Sequence, residues 1–302
     1  MAPPLSFSAD LPTMRVDHPE EFVTGEAVAE IAAAAEEAGF DACHVTDHPA
    51  GDKLWLDTGG HHALDPFVAL SFAAAATERL RLLTYIYVAA YRNPFLSAKS
   101  GQSLDVLSGG RLILGVAAGY LRPEYGALGV EFDERNELLE EAIEVMKLAW
   151  TEDVVTYEGR HFKARGVSML PHPVQQPHPP IWMGGNSYRA IRRAVESCQG
   201  WCPFPSAGIA RAAKTAEIAS TEDMLVRLDY ARRHADEVGR KEPFDVVWGG
   251  GPSDDPAAAR EHLRRLADEG ITWVTTGFPA DDRKTYVERL RRYGDEVISP
   301  LR

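Results

Sequence analysis

Short apolar runs alternate with helical patterns along almost the whole chain, and that alternation leaves few folds open. A strand, a covering helix and a second strand form the repeating unit of a parallel sheet. The runs Leu5–Ala9, Asp41–Val45, Leu80–Val88, Leu112–Val116, Ile181–Met183, a short one around Trp201, Asp245–Trp248 and Ile271–Thr275 read as strands. Between them come an alanine-rich helix, Gly25–Ala38, stopped by Gly39, and helices opened by Asp65-Pro66 and by Asn93-Pro94. In both openings a short polar side chain caps and proline takes the first helical position. The remaining helices are Glu134–Trp150, Ser187–Glu196, Thr221–Val238, Pro256–Asp268 and Asp281–Tyr293. Eight such units in 302 residues fit one α/β architecture, a single (β/α)8 TIM barrel occupying 1–302 as one domain. Its site then lies at the carboxyl ends of the strands.

One segment breaks the rhythm. From Val154 to His178 (about 152–179) a hairpin-like Tyr157-Glu158-Gly159-Arg160 turn is followed by a proline-rich run that no regular element tolerates. It reads as an insertion before the fifth strand, packed over a barrel rim. The stretch Pro203 to Ser220 carries little pattern of any kind, and Leu104 to Arg111 reads as a helix end and tight turn, structural rather than functional. Neither an internal repeat nor a linker marks a second domain.

Charge and cysteine usage exclude several classes of function. A formal charge of −13 argues against broad binding to nucleic acid or to an anionic membrane. No signal peptide and no apolar run of membrane length is visible, so a cytoplasmic protein is expected. Cys43, Cys198 and Cys202 are an odd number without paired metal spacing, which suits buried thiols in a reducing compartment. Asp57, His61, His62 and Asp65 are irregularly spaced in a long loop, so no metal site is expected there, and Asp52 to Asp65 reads as an access lid.

The stretch richest in chemistry is Pro179-Pro180-Ile181-Trp182-Met183-Gly184-Gly185-Asn186-Ser187. It reads as a buried strand turning through two glycines into a helix that Asn186 and Ser187 can cap. The open N–H groups of that helix favour a phosphate. A tight capped turn without a ligand fits the local residues equally well.

Around this stretch lie Gly166 to His178, Ala190-Ile191-Arg192-Arg193-Ala194 and Gly200-Trp201. Earlier in the chain come Thr46-Asp47-His48, Arg92-Asn93-Pro94, Leu104 to Arg111 and Leu114-Gly115-Val116. This ordered set resembles the bacterial luciferase-like superfamily, most closely its branch of oxidoreductases that use coenzyme F420, a deazaflavin. The resemblance implies a cofactor phosphate on Gly184, Gly185, Asn186 and Ser187, with Arg189, Arg192 and Arg193 adding positive potential or facing water. It implies that His48 stands beside the cofactor ring as the acid–base group, a role suited to a side chain that titrates near neutrality; the alternative is a structural core histidine. Asp47 would orient the loop or the ring.

In the same family a bulge with a non-prolyl cis peptide backs the ring, and here it falls at Tyr85-Ile86 just after Thr84. At Gly119-Tyr120 the chain departs from the sugar-phosphate dehydrogenases of the family, which carry a glutamate at the position of Tyr120. That departure puts their chemistry in doubt. Tyr120 can line the substrate pocket, donate a proton, or simply pack. The expected activity is hydride exchange between F420 and a small organic substrate, in a homodimer. The alternatives are a monooxygenase using reduced FMN and oxygen, and a flavin-binding protein without catalysis.

Overall fold

In the computed structural model, which describes residues 5–208, 215–250 and 255–302, eight parallel strands close on themselves to form a barrel. In chain order the first half runs β1 (Ser6–Asp10), α1 (Pro19–Phe22), α2 (Gly25–Glu37), β2 (Ala42–Val45), α3 (Lys53–Asp57), α4 (Pro66–Ala76), β3 (Arg81–Val88), α5 (Pro94–Ser108), β4 (Leu112–Ala117), α6 (Arg122–Ala127) and α7 (Arg135–Thr151). The second half runs β5 (Val155–Glu158), β6 (Lys163–Val167), β7 (Ile181–Gly184), α8 (Tyr188–Ser197), β8 (Gly200–Cys202), α9 (Thr221–Glu237), β9 (Asp245–Gly249), α10 (Pro256–Asp268), β10 (Trp273–Thr276) and α11 (Arg283–Tyr293). Around the barrel the order is β1, β2, β3, β4, β7, β8, β9, β10 and back to β1. The expected (β/α)8 barrel is therefore present. Its last strand begins at Trp273 rather than Ile271.

Both faces of these strands are buried, which is why they read as unbroken apolar runs. Ala42, Leu83, Ile113, Trp182, Cys202, Val247 and Trp273 fill the barrel interior, where the Trp182 and Trp273 rings meet edge to face at 5.2 Å. Alternate residues such as Leu82, Leu114, Ile181 and Val274 point outward into the layer beneath the helices. Cys43, Cys198 and Cys202 are free and buried. Among the described residues no helix is long and apolar enough to cross a membrane.

Local chemistry fixes the helix ends as the residues dictate. Asp65 accepts from the N–H groups of Phe67 and Val68, and Asn93 from Phe95, each followed by proline at the first helical position. Gly109, with φ of 73°, ends α5 in the left-handed conformation that glycine enters without strain.

The insertion is an antiparallel β5–β6 hairpin followed by the proline run. The hairpin lies on α7, where Glu141 accepts hydrogen bonds from the backbone of His161 and Phe162. The proline run continues to the amino-end rim: Asp105 of α5 accepts from the backbone of Val174 and Gln175, and the Gln175 amide donates to the Leu112 carbonyl at the start of β4. The expected rim packing is thus at the end of the barrel away from the loops that follow the strands. Part of the patternless Pro203 to Ser220 stretch lies outside the described residues.

Candidate active site

The carboxyl ends of β2, β3, β4 and β7 surround a cavity of about 540 Å³. Its floor comes from β3. Pairing between β3 and β4 shifts register between Thr84 and Tyr87, and the Tyr85–Ile86 peptide is cis, both as the family resemblance implied. Tyr85 and Ile86 line the cavity. Thr84 does not: it is fully buried and its Oγ1 donates to the Gly115 carbonyl at 2.9 Å, tying the bulge to β4. Gly115 makes room for this, since a Cβ there would press on the Thr84 carbonyl.

The turn after β7 forms a second wall. A Cβ on Gly184 would stand 3.1–3.2 Å from the Ile86 side chain, so that side chain packs close against the turn because Gly184 has none. Gly185 sits at φ of +116°, a conformation L side chains rarely adopt. Ser187 is the N-cap, its Oγ accepting from Ala190 N–H at 3.2 Å. Ser187, Arg189 and Ala190 all line the cavity, so the open amino end of α8 is part of its wall.

Asn186 behaves differently from the sequence expectation. It does not cap, and its side chain points away from the cavity. Its amide nitrogen donates to the Phe204 carbonyl at 2.9 Å, to Ser206 Oγ and to the Ala216 carbonyl, while its oxygen accepts from Phe204 N–H at 3.0 Å. An amide satisfied on every side serves as a clip for the segment after β8.

Of the three arginines singled out, Arg189 and Arg193 line the cavity and Arg192 does not. Arg192 donates to the Tyr230 hydroxyl at 3.0 Å. Arg193 is held by Glu140 at 2.5 Å and by Asn136 Oδ1 at 3.0 Å, and Arg189 reaches Glu140 at 3.2 Å. Arg135 and Asn136, from the first turn of α7, complete this polar rim.

Opposite the glycine turn stands His48. Its Nδ1 lies 3.3 and 3.4 Å from the two carboxylate oxygens of Glu124, and its Nε2 is 3.5 Å from the Tyr120 hydroxyl. The Trp55 and His61 rings pack on it with centroids 4.4 and 5.0 Å away. Only 8% of the His48 side chain and 2% of the Glu124 side chain are exposed. Burial, with the nearby Glu124 charge adding to it, pushes the Tyr120 hydroxyl up to about 12, so it stays protonated across the neutral range. Burial also lowers His61 below the ordinary histidine range.

Asp47 is fully engaged elsewhere: it forms a bidentate pair with Arg92 at 2.6 and 2.9 Å and accepts from Val88 N–H at 2.9 Å. It binds the loop after β2 to the end of β3 and so holds His48 in place. Gly119, at φ of +69°, lines the cavity where a Cβ would meet Val88 at 2.7 Å.

Glu124, Trp55 and His61 were not picked out as site residues from the sequence. Glu124 lies in the short helix α6, which shows no periodicity, and a buried glutamate is indistinguishable from an exposed one until its partner is known. Trp55 and His61 come from the loop read as a lid, whose short helix α3 is likewise too brief to announce itself. Among the described residues no three His, Cys, Asp or Glu side chains gather as a metal set.

Beside Tyr85, on the interior side, lies a second titratable pair. His44 Nδ1 is 2.9 Å from Ser8 Oγ, its Nε2 is 3.8 Å from Asp10, and its ring meets Tyr85 edge to face at 5.2 Å. Burial pushes Asp10 up to about 7 and His44 down to about 3. Neither was singled out, because each sits in a strand that reads as apolar.

This arrangement joins a histidine held between a carboxylate and a phenol to a glycine-lined wall with a helix amino end. It can hold and move a proton on one side of a flat, half-apolar ligand and receive an anion on the other.

Comparison with known proteins places the chain in a family. A family model described as luciferase-like monooxygenase matches residues 11–296. An uncharacterized protein of Mycobacterium tuberculosis is 32% identical over 184 residues, which cover 57% of this chain and 65% of the relative. The chain thus spans just under two thirds of the length of that relative. Among solved structures, a monooxygenase of Streptomyces bottropensis superposes with a TM-score of 0.81 at 20% identity, covering 99% of this chain and all of the other. A coenzyme F420-dependent tetrahydromethanopterin reductase of Methanopyrus kandleri gives 0.75 at 17% identity, with 99% and 100% covered. At such identities the likeness is one of fold.

Proposed function

The chain belongs to the luciferase-like monooxygenase family, and from that premise we propose that it is a cytoplasmic, homodimeric oxidoreductase in which F420 exchanges a hydride with a small organic substrate. One observation carries the reading. The glycine turn of β7 and the cis bulge of β3 face His48, Glu124 and Tyr120 across a single cavity.

The residues fit a deazaflavin. Gly119, Gly184 and Gly185 leave backbone exposed where side chains would fill the space, Tyr85 and Ile86 offer a flat support, and the first turn of α8 with Ser187 suits a phosphate. Arg189 and Arg193 add positive potential at that end, partly balanced by Glu140. When bound, the cofactor supplies the hydride chemistry and the protein supplies orientation and exclusion of water. His48 would hold or release the accompanying proton at Nε2, with Glu124 fixing the ring through Nδ1. Tyr120, kept protonated, would donate to a substrate oxygen. Asp47 acts through the loop, and Thr84 through the bulge. Trp55 and His61 cover the histidine from the lid side.

A second reading, oxygenation by reduced FMN, is favoured by the similarity to the Streptomyces bottropensis monooxygenase. Oxygen uptake separates the two. The protein incubated with reduced F420 is expected to consume no oxygen, whereas rapid uptake with reduced FMN and weak F420 binding would make the oxygenase the better account. For the dimer, support comes from Val68, Phe72 and Leu96, apolar and 58%, 51% and 69% exposed on the neighbouring helices α4 and α5. Light scattering is expected to give twice the monomer mass.

A further inference from the structure

A second cavity, of about 580 Å³, opens at the opposite end of the barrel. Residues at the starts of strands build it: Ser6 of β1, Asp41 just before β2, Arg81 of β3 and Trp273 of β10, with Phe40 beside them. The charges around it are unequally satisfied. Glu36 accepts from the backbone N–H groups of Glu78, Arg79 and Leu80 at 2.6–3.3 Å. Asp41 accepts from Phe7 N–H and from the Arg302 guanidinium, each at 2.8 Å. Farther in, Asp105 is taken by the backbone of Val174 and Gln175 and by the Gln175 amide, and Asp245 by the Thr272 hydroxyl at 2.9 Å. Every carboxylate in reach has its own partner.

Arg81 is the exception. Its hydrogen bond within the described structure runs from Nη2 to the neutral amide oxygen of Gln175 at 3.0 Å, and no described carboxylate comes within ion-pair distance. A guanidinium carries five donors in a planar fork. Here the side chain lines the cavity and is partly buried, and burial lowers its pKa. Asp245 and Asp105 attract it from beyond contact distance, so its charge is balanced without an ion pair, and an anion in the cavity would supply the direct contact that they do not. Trp273 and Phe40 supply apolar walls, and the Ser6 hydroxyl, which has no hydrogen-bond partner among the described residues, supplies a further donor.

We propose that this amino-end cavity is a binding site for a small organic carboxylate, its oxygens on the Arg81 guanidinium and its apolar body against Trp273 and Phe40. Bidentate guanidinium–carboxylate pairing is the strong form of this contact, and an apolar body distinguishes the ligand from a free inorganic ion. The site is separate from the cavity at the carboxyl ends, so its occupancy does not depend on the cofactor.

Calorimetric titration with benzoate, benzamide and inorganic phosphate tests this. Benzoate is expected to bind saturably, with benzamide and phosphate at least roughly tenfold weaker, because only benzoate offers both the charge and the ring. Arg81→Met is expected to weaken benzoate by at least roughly tenfold while leaving F420 titration unchanged. If that variant does not fold, Ser6→Ala with competition in the wild-type protein takes its place: a weaker benzoate affinity that F420 does not alter supports the site. No benzoate binding at millimolar concentration, benzoate binding untouched by Arg81→Met, displacement of benzoate by F420, or tighter binding of phosphate than of benzoate would each overturn it.

Discussion

The two ends of this barrel are made by the same eight strands, yet they leave different things unsatisfied. At the carboxyl ends the buried acidic groups each have a partner: Asp47 has Arg92, and Glu124 has His48. What remains open there is backbone and aromatic surface, exposed by Gly119, Gly184 and Gly185 and by the Tyr85–Ile86 bulge. At the amino ends the backbone is closed by ladders, the insertion and Glu36, and what remains open is a cation, Arg81. The difference teaches where to look for chemistry in such a fold. One end presents shape and a proton, suited to a cofactor with its own reactivity, and the other presents a charge beside apolar walls, suited to recognition.

Breaking the carboxyl end should have the larger consequences. Replacing His48 by Gln keeps the size and a donor but removes the imidazole assigned to proton transfer, and it is expected to slow hydride transfer by about 10²–10⁴-fold with cofactor affinity little changed. Stopped-flow measurement of cofactor oxidation checks this, and a loss confined to binding would contradict the assigned role. Asp47→Ala leaves Arg92 unpaired against Val88 and the loop, and should cost about 3–5 kcal/mol in urea unfolding. Arg81→Met at the amino end removes a charge that has no ionic partner, and is expected to change stability by less than about 0.5 kcal/mol. Equal costs at the two ends would erase the contrast drawn between them.

The interior pair beside Tyr85 gives a pH test. Burial raises Asp10 from its ordinary 3.8 to about 7, so the folded chain holds a proton that the unfolded chain has lost between those values. Stability from this group therefore falls as pH rises through that window. His44 acts in the opposite sense: lowered from 6.5 to about 3, it makes the folded state less stable as pH drops through 6.5 toward 3. Asp10→Asn keeps the uncharged form at all pH. Its stability should match the wild type below pH 4 and exceed it increasingly up to pH 7, and a gain independent of pH would contradict the burial argument. Ser187→Ala is expected to cost about 1 kcal/mol from loss of the α8 cap, seen as a lower melting temperature.

Much of the fold was legible because both signals it rests on are local. Strands buried on two faces read as apolar runs, and caps such as Asp65-Pro66 and Asn93-Pro94 name their own helices. Of the site, the parts fixed by backbone constraint were legible too: the glycines of the β7 turn and, through family resemblance, the Tyr85–Ile86 bulge. Side-chain partnerships were not. Nothing in the sequence says that Glu124 will meet His48 across 76 positions, or that Asn186, two residues past Gly184, turns its amide away to clip the segment after β8. The short helices α3 and α6 escaped because five or six residues are too few to show a helical period. Arg81 read as the start of a strand, and its lack of an ionic partner emerges only once every neighbouring carboxylate is accounted for.

The central claim is that the cavity at the carboxyl ends holds a deazaflavin on the turn from Gly184 to Ser187. Parallel titrations of the protein and of Gly184→Val with F420 and FMN, followed by tryptophan quenching, test it most directly. The account predicts tight binding of F420, weaker binding of FMN, and loss of both in the variant, where the added side chain would collide with Ile86. Binding of neither molecule by the wild type, or F420 affinity unchanged by Gly184→Val, would contradict it.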